Sequence, residues 1–323
     1  MGNKKQSASV RRAEKNLTIG LPRAMLYHRY GALWETFFQQ LDVNVIVSEP
    51  TNRRIMEEGA ALAIDETCLS AKIFLGHVQT LIGRCSYILV PRITGFGVRR
   101  DMCTRFSSLY DLTCNVFRTS GQKFLTYNID EKARSDEETA FEKMGEFLGF
   151  SQKEVKSAYK EAKKAEADQR KKQIRQQEKQ YEKPGMKILV AGHSYVAEDA
   201  CVGKPVLDFL EKSGAVVIRA DLMDRKDALK KSTQMSPTLK WEINRELAGS
   251  IQAQKDKVDG IILLSVFPCG PDSMASEMII RKNRGVPLLN LVLDGQEGMA
   301  GIETRLESFL DIIRFKKGEM GRG

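Results

Sequence analysis

The stretch GIILLSVFPCGPDS, residues 260–273, carries the order of elements that decides the fold. Its first part, residues 260–266, is an uncharged and mostly aliphatic run, which is typical of a strand buried on both faces. The Gly-Pro-Asp turn at 270–272 leads into a helix that we expect to reach Arg284. A buried strand, a loop with one cysteine and a helix indicate an α/β unit with a parallel sheet.

The same alternation of short apolar runs and helix-like segments occurs in two blocks of the chain. The predicted strands lie at residues 17–20, 43–47, 60–64, 87–91 and 123–129 in the first block and at 186–192, 215–218, 260–266 and 288–292 in the second. Strands that alternate with helices pair in parallel and are covered on both faces. The sequence therefore predicts an α/β fold of two Rossmann-like or flavodoxin-like three-layer domains.

A charged segment separates the two blocks. Residues 151–183 consist of strong helix formers without Gly or Pro, and Pro184 and Gly185 then end the pattern. We expect a long solvated helix between two domains, with a short coiled coil to a partner as the alternative. The predicted organisation is a disordered basic tail over 1–16, a domain over 17–150, a charged helical linker over 151–185 and a domain over 186–323.

The charge is unevenly distributed. The formal net charge of the chain is +9, and the excess of basic residues lies in residues 1–16 and 151–183. A tail and a solvated helix explain this excess without a nucleic-acid partner. No run approaches the roughly 20 apolar residues that a bilayer requires, and the first residues lack the apolar core of a secretory signal. We expect a cytoplasmic protein that contacts no membrane.

Three of the six cysteines follow predicted strands. Cys68, Cys103 and Cys269 fall in loops at the carboxyl edges of the sheets, where ligand sites of parallel α/β proteins gather. Cys201 precedes a helix and is a candidate fourth member, whereas Cys85 and the cysteine at 114 fit packing positions. No Cys-x-x-Cys pair occurs, and disulfides are not expected in the cytoplasm.

Cys269 is the cysteine with the most specific surroundings. It precedes a helix whose positive N-terminal end would lower the pKa of the thiol. A thiolate suits nucleophilic chemistry or soft-metal ligation. The nucleophile needs a base, and His193 is the histidine that lies at a strand end, so a Cys-His enzyme is one alternative. Three dispersed thiolates suit an iron–sulfur cluster better than zinc, whose ligands come in closely spaced pairs.

Short motifs in both blocks resemble those of a known family. They are IGLPR at 19–23, ETCLSAK at 66–72, MCTRF at 102–106, GHSY at 192–195, FPCGPDS at 267–273 and GIETRLESF at 301–309. Together they resemble the acyl-CoA dehydratase activase-related proteins. These are grouped with the subunits of 2-hydroxyacyl-CoA dehydratases and benzoyl-CoA reductases and with the double-cubane-cluster proteins.

The resemblance implies a ligand set and a cofactor. It assigns Cys68, Cys103 and Cys269 as ligands of a 4Fe-4S cluster between the two domains, and leaves open whether the cluster is single or a double cubane. Residues next to these cysteines would support the cofactor from outside the ligand shell: Glu66, Pro268 and Gly270. No catalytic residue is assigned.

The resemblance also implies a function. It is low-potential electron transfer or substrate reduction in an ATP-driven acyl-CoA dehydratase-like or reductase-like system of anaerobic metabolism. The implied partners are a homologous cluster-binding subunit, an ATP-dependent activator and an acyl-CoA or other small substrate. A non-catalytic scaffold or electron-relay subunit is the first alternative, and a metal-free binding module is the second. Because the chain has no Walker-type glycine loop, we do not expect the ATPase activator itself.

The chain departs from the family pattern after Asp294. Gly295 and Gln296 stand where related sequences place an acidic residue and a histidine, so any proton transfer by those groups is in doubt here. For Arg305, the sequence leaves a structural salt bridge and an anion site as alternatives.

Overall fold

The computed structural model describes residues 17–295 and 298–318. The predicted tail over 1–16 and Gln296 lie outside the described residues. The described chain divides into two compact units: unit 1 comprises residues 17–65 and 71–170, and unit 2 comprises residues 66–70 and 171–318. The domain boundaries given above stay predictions.

Unit 1 is an α/β unit with a four-stranded parallel sheet. Its elements are β1 (Thr18–Leu21), α1 (Tyr27–Gln40), β2 (Asn44–Val47), α2 (Arg53–Ala61), α3 (Leu69–Leu81), β3 (Tyr87–Leu89), β4 (Arg92–Gly95), α4 (Thr104–Val116), β5 (Phe124–Leu125), β6 (Asn128–Asp130), α5 (Glu137–Phe147) and the first part of α6 (Gln152–Glu182). The main sheet has the order β2-β1-β3-β5, and β4 and β6 form a separate parallel pair. The chain order therefore reverses between β1 and β3.

The strand predicted at 60–64 is wrong. Residues 60 and 61 are the last residues of α2, which begins at a strong cap: the side chain of Asn52 accepts a hydrogen bond from the N–H of Ile55 at 3.0 Å. The alanines of this apolar run are strong helix formers, so the capped helix extends through them. Cys68 consequently lies between two helices and not at a strand end.

Aromatic side chains fill the core of unit 1. The rings of Phe37 and Phe141 meet edge to face with centroids 4.8 Å apart, and Trp34 Nε1 donates to the hydroxyl of Tyr127 at 2.9 Å. The first part of α6 is packed as well. At Gly145 of α5, an added Cβ would lie 2.3 Å from the side chain of Val155, so glycine permits the close approach of α5 and α6.

Unit 2 contains the second parallel sheet. Its further elements are β7 (Lys187–Ala191), α7 (Ser194–Ala197), α8 (Lys204–Lys212), β8 (Val216–Arg219), α9 (Arg225–Met235), α10 (Glu242–Gln254), β9 (Gly260–Val266), α11 (Gly270–Lys282), β10 (Leu288–Leu293) and α12 (Met299–Lys316). The sheet order is β10-β9-β7-β8, and every neighbouring pair is parallel. The prediction of two α/β domains with parallel sheets is confirmed.

The fully buried strand β9 lies at the centre of this sheet. Ile261 and Leu263 pack with Leu189 of β7 and with Ile251 of α10 in one apolar cluster. The second part of α6 is fixed to the edge strand, because the side-chain amide of Gln177 makes two hydrogen bonds of 2.8 Å to the main chain of Arg219. No helix in the described part of the chain combines the length and the apolar character that a membrane crossing requires.

Candidate functional site

The candidate site lies at the carboxyl edge of the sheet of unit 2, where the chain order reverses between β7 and β9. The loops that follow these two strands part at this point, which is where parallel α/β sheets form ligand crevices. Gly192 follows β7 directly, and a Cβ there would lie 3.0 Å from the carbonyl oxygen of Leu264. The loop after β7 can therefore pass close to β9.

Asp272 is the centre of a buried polar cluster. One of its carboxylate oxygens, Oδ1, accepts a hydrogen bond from His193 Nε2 at 2.8 Å and another from Asn244 Nδ2 at 2.6 Å. The thiol of Cys269 also hydrogen-bonds to this carboxylate. His193, Asn244 and Asp272 are all buried. The cluster thus joins the loop after β7, helix α10 and the first turn of α11.

The carboxyl group of Asp272 is ionised at neutral pH. Burial alone would raise its pKa, but the charge of His193 and hydrogen bonds from its three partners outweigh burial, so the pKa lies below the ordinary value. Since a carboxylate only accepts hydrogen bonds, His193 carries a proton on Nε2. The orientation of the imidazole is fixed in this way. The ring also stacks on Tyr195 at a centroid distance of 5.1 Å.

The predicted activation of Cys269 is wrong. Burial, the charge of Asp272 and the neighbouring Cys68 raise the pKa of its thiol well above the ordinary value. The hydrogen bond from the N–H of Asp272 acts in the opposite direction and is smaller than the effect of burial. Cys269 is therefore a protonated thiol at neutral pH. The imidazole bonds to Asp272 rather than to the thiol, so the nucleophile–base contact of a Cys-His enzyme is not assembled.

Cys68 belongs to unit 2 through a short segment of chain. The N–H of Leu69 donates to the carbonyl oxygen of Phe267 at 3.0 Å, which fixes residues 66–70 beside the loop after β9. In this position, Cys68 is close enough to affect the pKa of Cys269. The structure thus brings together two of the three predicted ligands.

The other predicted residues have different surroundings. Cys103 lies in unit 1, where it is half-buried and precedes α4. Glu66 and Gly270 are exposed, and Pro268 follows a cis peptide bond from Phe267. Arg305 donates to the carbonyl oxygen of Asn290 at 2.8 Å, so its observed contact is neither of the two predicted ones.

Sequence reasoning missed Asp272 and Asn244 as site residues. Asp272 appeared only as the last residue of a turn, although its position three residues after Cys269 places both groups in the first turn of α11. Asn244 lies on a helix whose apolar pattern predicts core packing, and it gave no signal of its own.

Fold and site together define a two-unit α/β protein with a polar centre at the switch point of its second sheet. Residues 18–223 match the family described as "CoA enzyme activase uncharacterised domain". Because the match covers more than half of the chain, the protein belongs to this family. No curated protein matches the chain. Among solved structures, "Crystal structure of ZnuA" is 12% identical over 93% of this chain and 99% of that chain, with a TM-score of 0.25, and this likeness carries no argument.

The predicted function of low-potential electron transfer or substrate reduction, with its scaffold or relay alternative, is wrong. The chain belongs to an activase family. In residues 17–295 and 298–318, there is no group of three or more His, Cys, Asp or Glu side chains that could hold a metal ion. The ligand set of Cys68, Cys103 and Cys269 and the cluster itself stay predictions, and no chemical step is derived through them.

Proposed function

We propose that the chain is an activating component of an ATP-dependent CoA enzyme in the cytoplasm. The observation that carries the proposal is its membership of the CoA enzyme activase family over residues 18–223. The resemblance of the motifs to subunits of 2-hydroxyacyl-CoA dehydratases and benzoyl-CoA reductases supports a partner of that class. In this role the chain acts on an enzyme and leaves acyl-CoA turnover to that partner.

The geometry of unit 2 supports a binding role for the cluster around Asp272. The ionised carboxylate, the fixed imidazole of His193 and the protonated thiol of Cys269 form a polar cluster at the switch point. A cavity of about 20 Å³ below it is lined in part by Asn244 and Ser265, and this volume suffices for one buried water molecule. We propose that this cluster holds the loops after β7 and β9 in position for the ligand or partner whose binding accompanies activation.

A reconstituted turnover assay tests the proposal. A candidate acyl-CoA dehydratase is incubated with its substrate, with and without ATP and the purified chain, and product formation is measured by mass spectrometry. We expect turnover to rise only when both the chain and ATP are present. If ATP and the chain leave the rate of every tested enzyme of this class unchanged, and the chain forms no complex with any of them, the proposal is wrong.

A pair of variants tests the part played by the cluster. Asp272→Asn removes the buried charge that holds His193, and we expect it to reduce the activation. Asp311→Asn is the matched control, because Asp311 is half-exposed and pairs only locally with Arg314 in α12. Circular dichroism of both variants separates loss of activation from loss of folding.

A further inference from the structure

A second polar cluster lies in unit 1, at the carboxyl edge of the other sheet, where the loops after β1 and β2 meet. The loops that follow β1 and β2 carry Arg23, Ser48 and Thr51, and helix α3 contributes His77. The carboxyl edge of a parallel sheet next to the reversal of strand order is the favoured position for a bound anion or nucleotide. None of these residues takes part in the cluster around Asp272.

The main chain of Arg23 is firmly held. Its N–H donates to the hydroxyl of Ser48 at 2.8 Å, and the N–H of Ser48 in turn donates to the carbonyl oxygen of Leu21 at 3.1 Å. The hydroxyl of Ser48 also contacts His77 Nδ1 at 2.8 Å, while Thr51 contacts Nε2 of the same ring at 3.0 Å. The fully buried imidazole thus fixes the loop after β2, and the hydroxyl of Ser48 joins this loop to the one after β1.

The guanidinium of Arg23 has no acidic partner in the described part of the chain. Its Nε is buried and makes no hydrogen bond there, and its Cζ lies 5.9 Å from the centroid of the Tyr27 ring. Two carboxylates of unit 1 have other partners: Glu35 accepts from the hydroxyl of Tyr27 at 2.7 Å, and Glu49 pairs with Arg54 at 3.1 Å. A buried guanidinium N–H without an acceptor is costly unless a ligand supplies one.

Two basic side chains, Arg23 and His28, exert their positive charge on the buried ring of His77. Burial, and then the charges of His28 and Arg23, lower the pKa of His77 to about 3, so both basic side chains act on the same imidazole. His77 is consequently neutral and serves to position Ser48. Arg23 is the group that can offer N–H donors to an anion, and it can do so with the fork geometry that suits phosphate.

The start of α1 does not supply the donors. The N–H groups of Tyr27, His28, Arg29 and Tyr30 are all taken by carbonyl oxygens of the preceding turn, at 2.8–3.3 Å. Only the positive end of the helix dipole remains available to an anion. Side chains therefore have to make the contacts.

We propose that Arg23, in the positive field that it shares with His28, binds a phosphate group at the carboxyl edge of the sheet of unit 1. The site takes free inorganic phosphate or the phosphate of a larger molecule such as a nucleotide or CoA. It does not depend on the function proposed above, because it rests on the side chains of unit 1 alone.

Titration calorimetry on the full chain at constant ionic strength tests the site, with inorganic phosphate, CoA and ATP as three separate probes. We expect saturable binding of inorganic phosphate. Tighter binding of CoA or ATP would identify the larger molecule as the source of the phosphate. Arg23→Gln should weaken the binding by about tenfold or more, since it removes a charge-assisted hydrogen bond. Arg23→Lys, which keeps the charge but loses the fork, should recover part of the affinity.

Arg53→Gln is the matched control. Arg53 is an exposed residue of the same unit that pairs with Glu57 one helical turn away, so its loss should leave phosphate binding unchanged. The proposal is wrong if no probe binds to the wild-type chain, if Arg23→Gln binds phosphate as the wild type does, or if Arg53→Gln weakens binding equally. Thermal melting of each variant confirms that it is folded.

Discussion

Asp272 and His193 share a hydrogen bond of 2.8 Å although they are 79 positions apart in the sequence, and both side chains are buried at the edge of the sheet of unit 2. The contact holds the loop after β7 against the first turn of α11. A buried carboxylate of this kind stabilises the fold only while it is ionised and fully hydrogen-bonded.

Asp272→Asn should destabilise the chain at neutral pH by about 1–3 kcal/mol, because the amide cannot accept all the hydrogen bonds that the carboxylate accepts. The pKa of Asp272 is lowered in the folded state. Its stabilising effect is therefore present above the pKa of the unfolded chain, near 4, and is lost as the pH falls through the lower pKa of the folded state. Thermal melting of wild type and variant between pH 7 and pH 3 should show a difference that shrinks with acidification. A difference that grows as the pH falls would contradict the assignment.

Cys269 should react slowly with alkylating reagents. Its pKa is raised by burial, by the charge of Asp272 and by Cys68, and only the thiolate attacks the reagent. At pH 8 we expect iodoacetamide to modify Cys269 more slowly than free cysteine, as followed by peptide mass spectrometry. Removal of the negative charge in Asp272→Asn should lower the pKa and increase the rate. Modification of wild-type Cys269 as fast as free cysteine would show that its thiolate is accessible after all.

The sequence predicts helices and strands correctly where the residue pattern of a segment fits only one kind of element. The run at 260–266 predicts β9 correctly, because an uncharged and mostly aliphatic run of seven residues before a turn suits a buried strand. The run at 60–64 fails, because alanine-rich apolar segments suit a helix equally well and the cap at Asn52 decides between them. Local pattern therefore fails where one apolar segment fits two structures.

The candidate site was harder to predict. Position beyond a strand correctly selected Cys269, and the helix start predicted a low pKa for its thiol. That prediction omitted the carboxylate of Asp272, which turns towards the thiol because Asn244 and His193 hold it there. These contacts join residues 28 and 79 positions apart in the sequence. A sequence pattern within a single helix or strand cannot predict contacts between residues so far apart.

Two glycines of unit 2 should respond in opposite ways to alanine. At Gly249 of α10, a Cβ would lie 1.7 Å from the carbonyl oxygen of Ala228 in α9, whereas at Gly301 of α12 it would meet nothing within 4 Å. Gly249→Ala should cost about 3 kcal/mol or more, because two helix backbones have to move apart. Gly301→Ala should stabilise by about 0.5–1 kcal/mol, since alanine is the better helix former. Urea unfolding measures both, and equal effects would contradict the close contact of α9 and α10.

Gln177 should anchor the second part of α6 to the edge strand β8. Its side chain both donates to and accepts from the main chain of Arg219, with two hydrogen bonds of 2.8 Å. Gln177→Ala leaves a partly buried N–H and C=O of Arg219 without these partners, which should cost about 1–3 kcal/mol. Gln176→Ala is the control, because the neighbouring side chain is exposed. Hydrogen exchange at the amide of Arg219 should accelerate in the first variant and remain at the wild-type rate in the second. If both variants exchange at the wild-type rate, the charged helix is held to unit 2 by its apolar contacts and not by this amide.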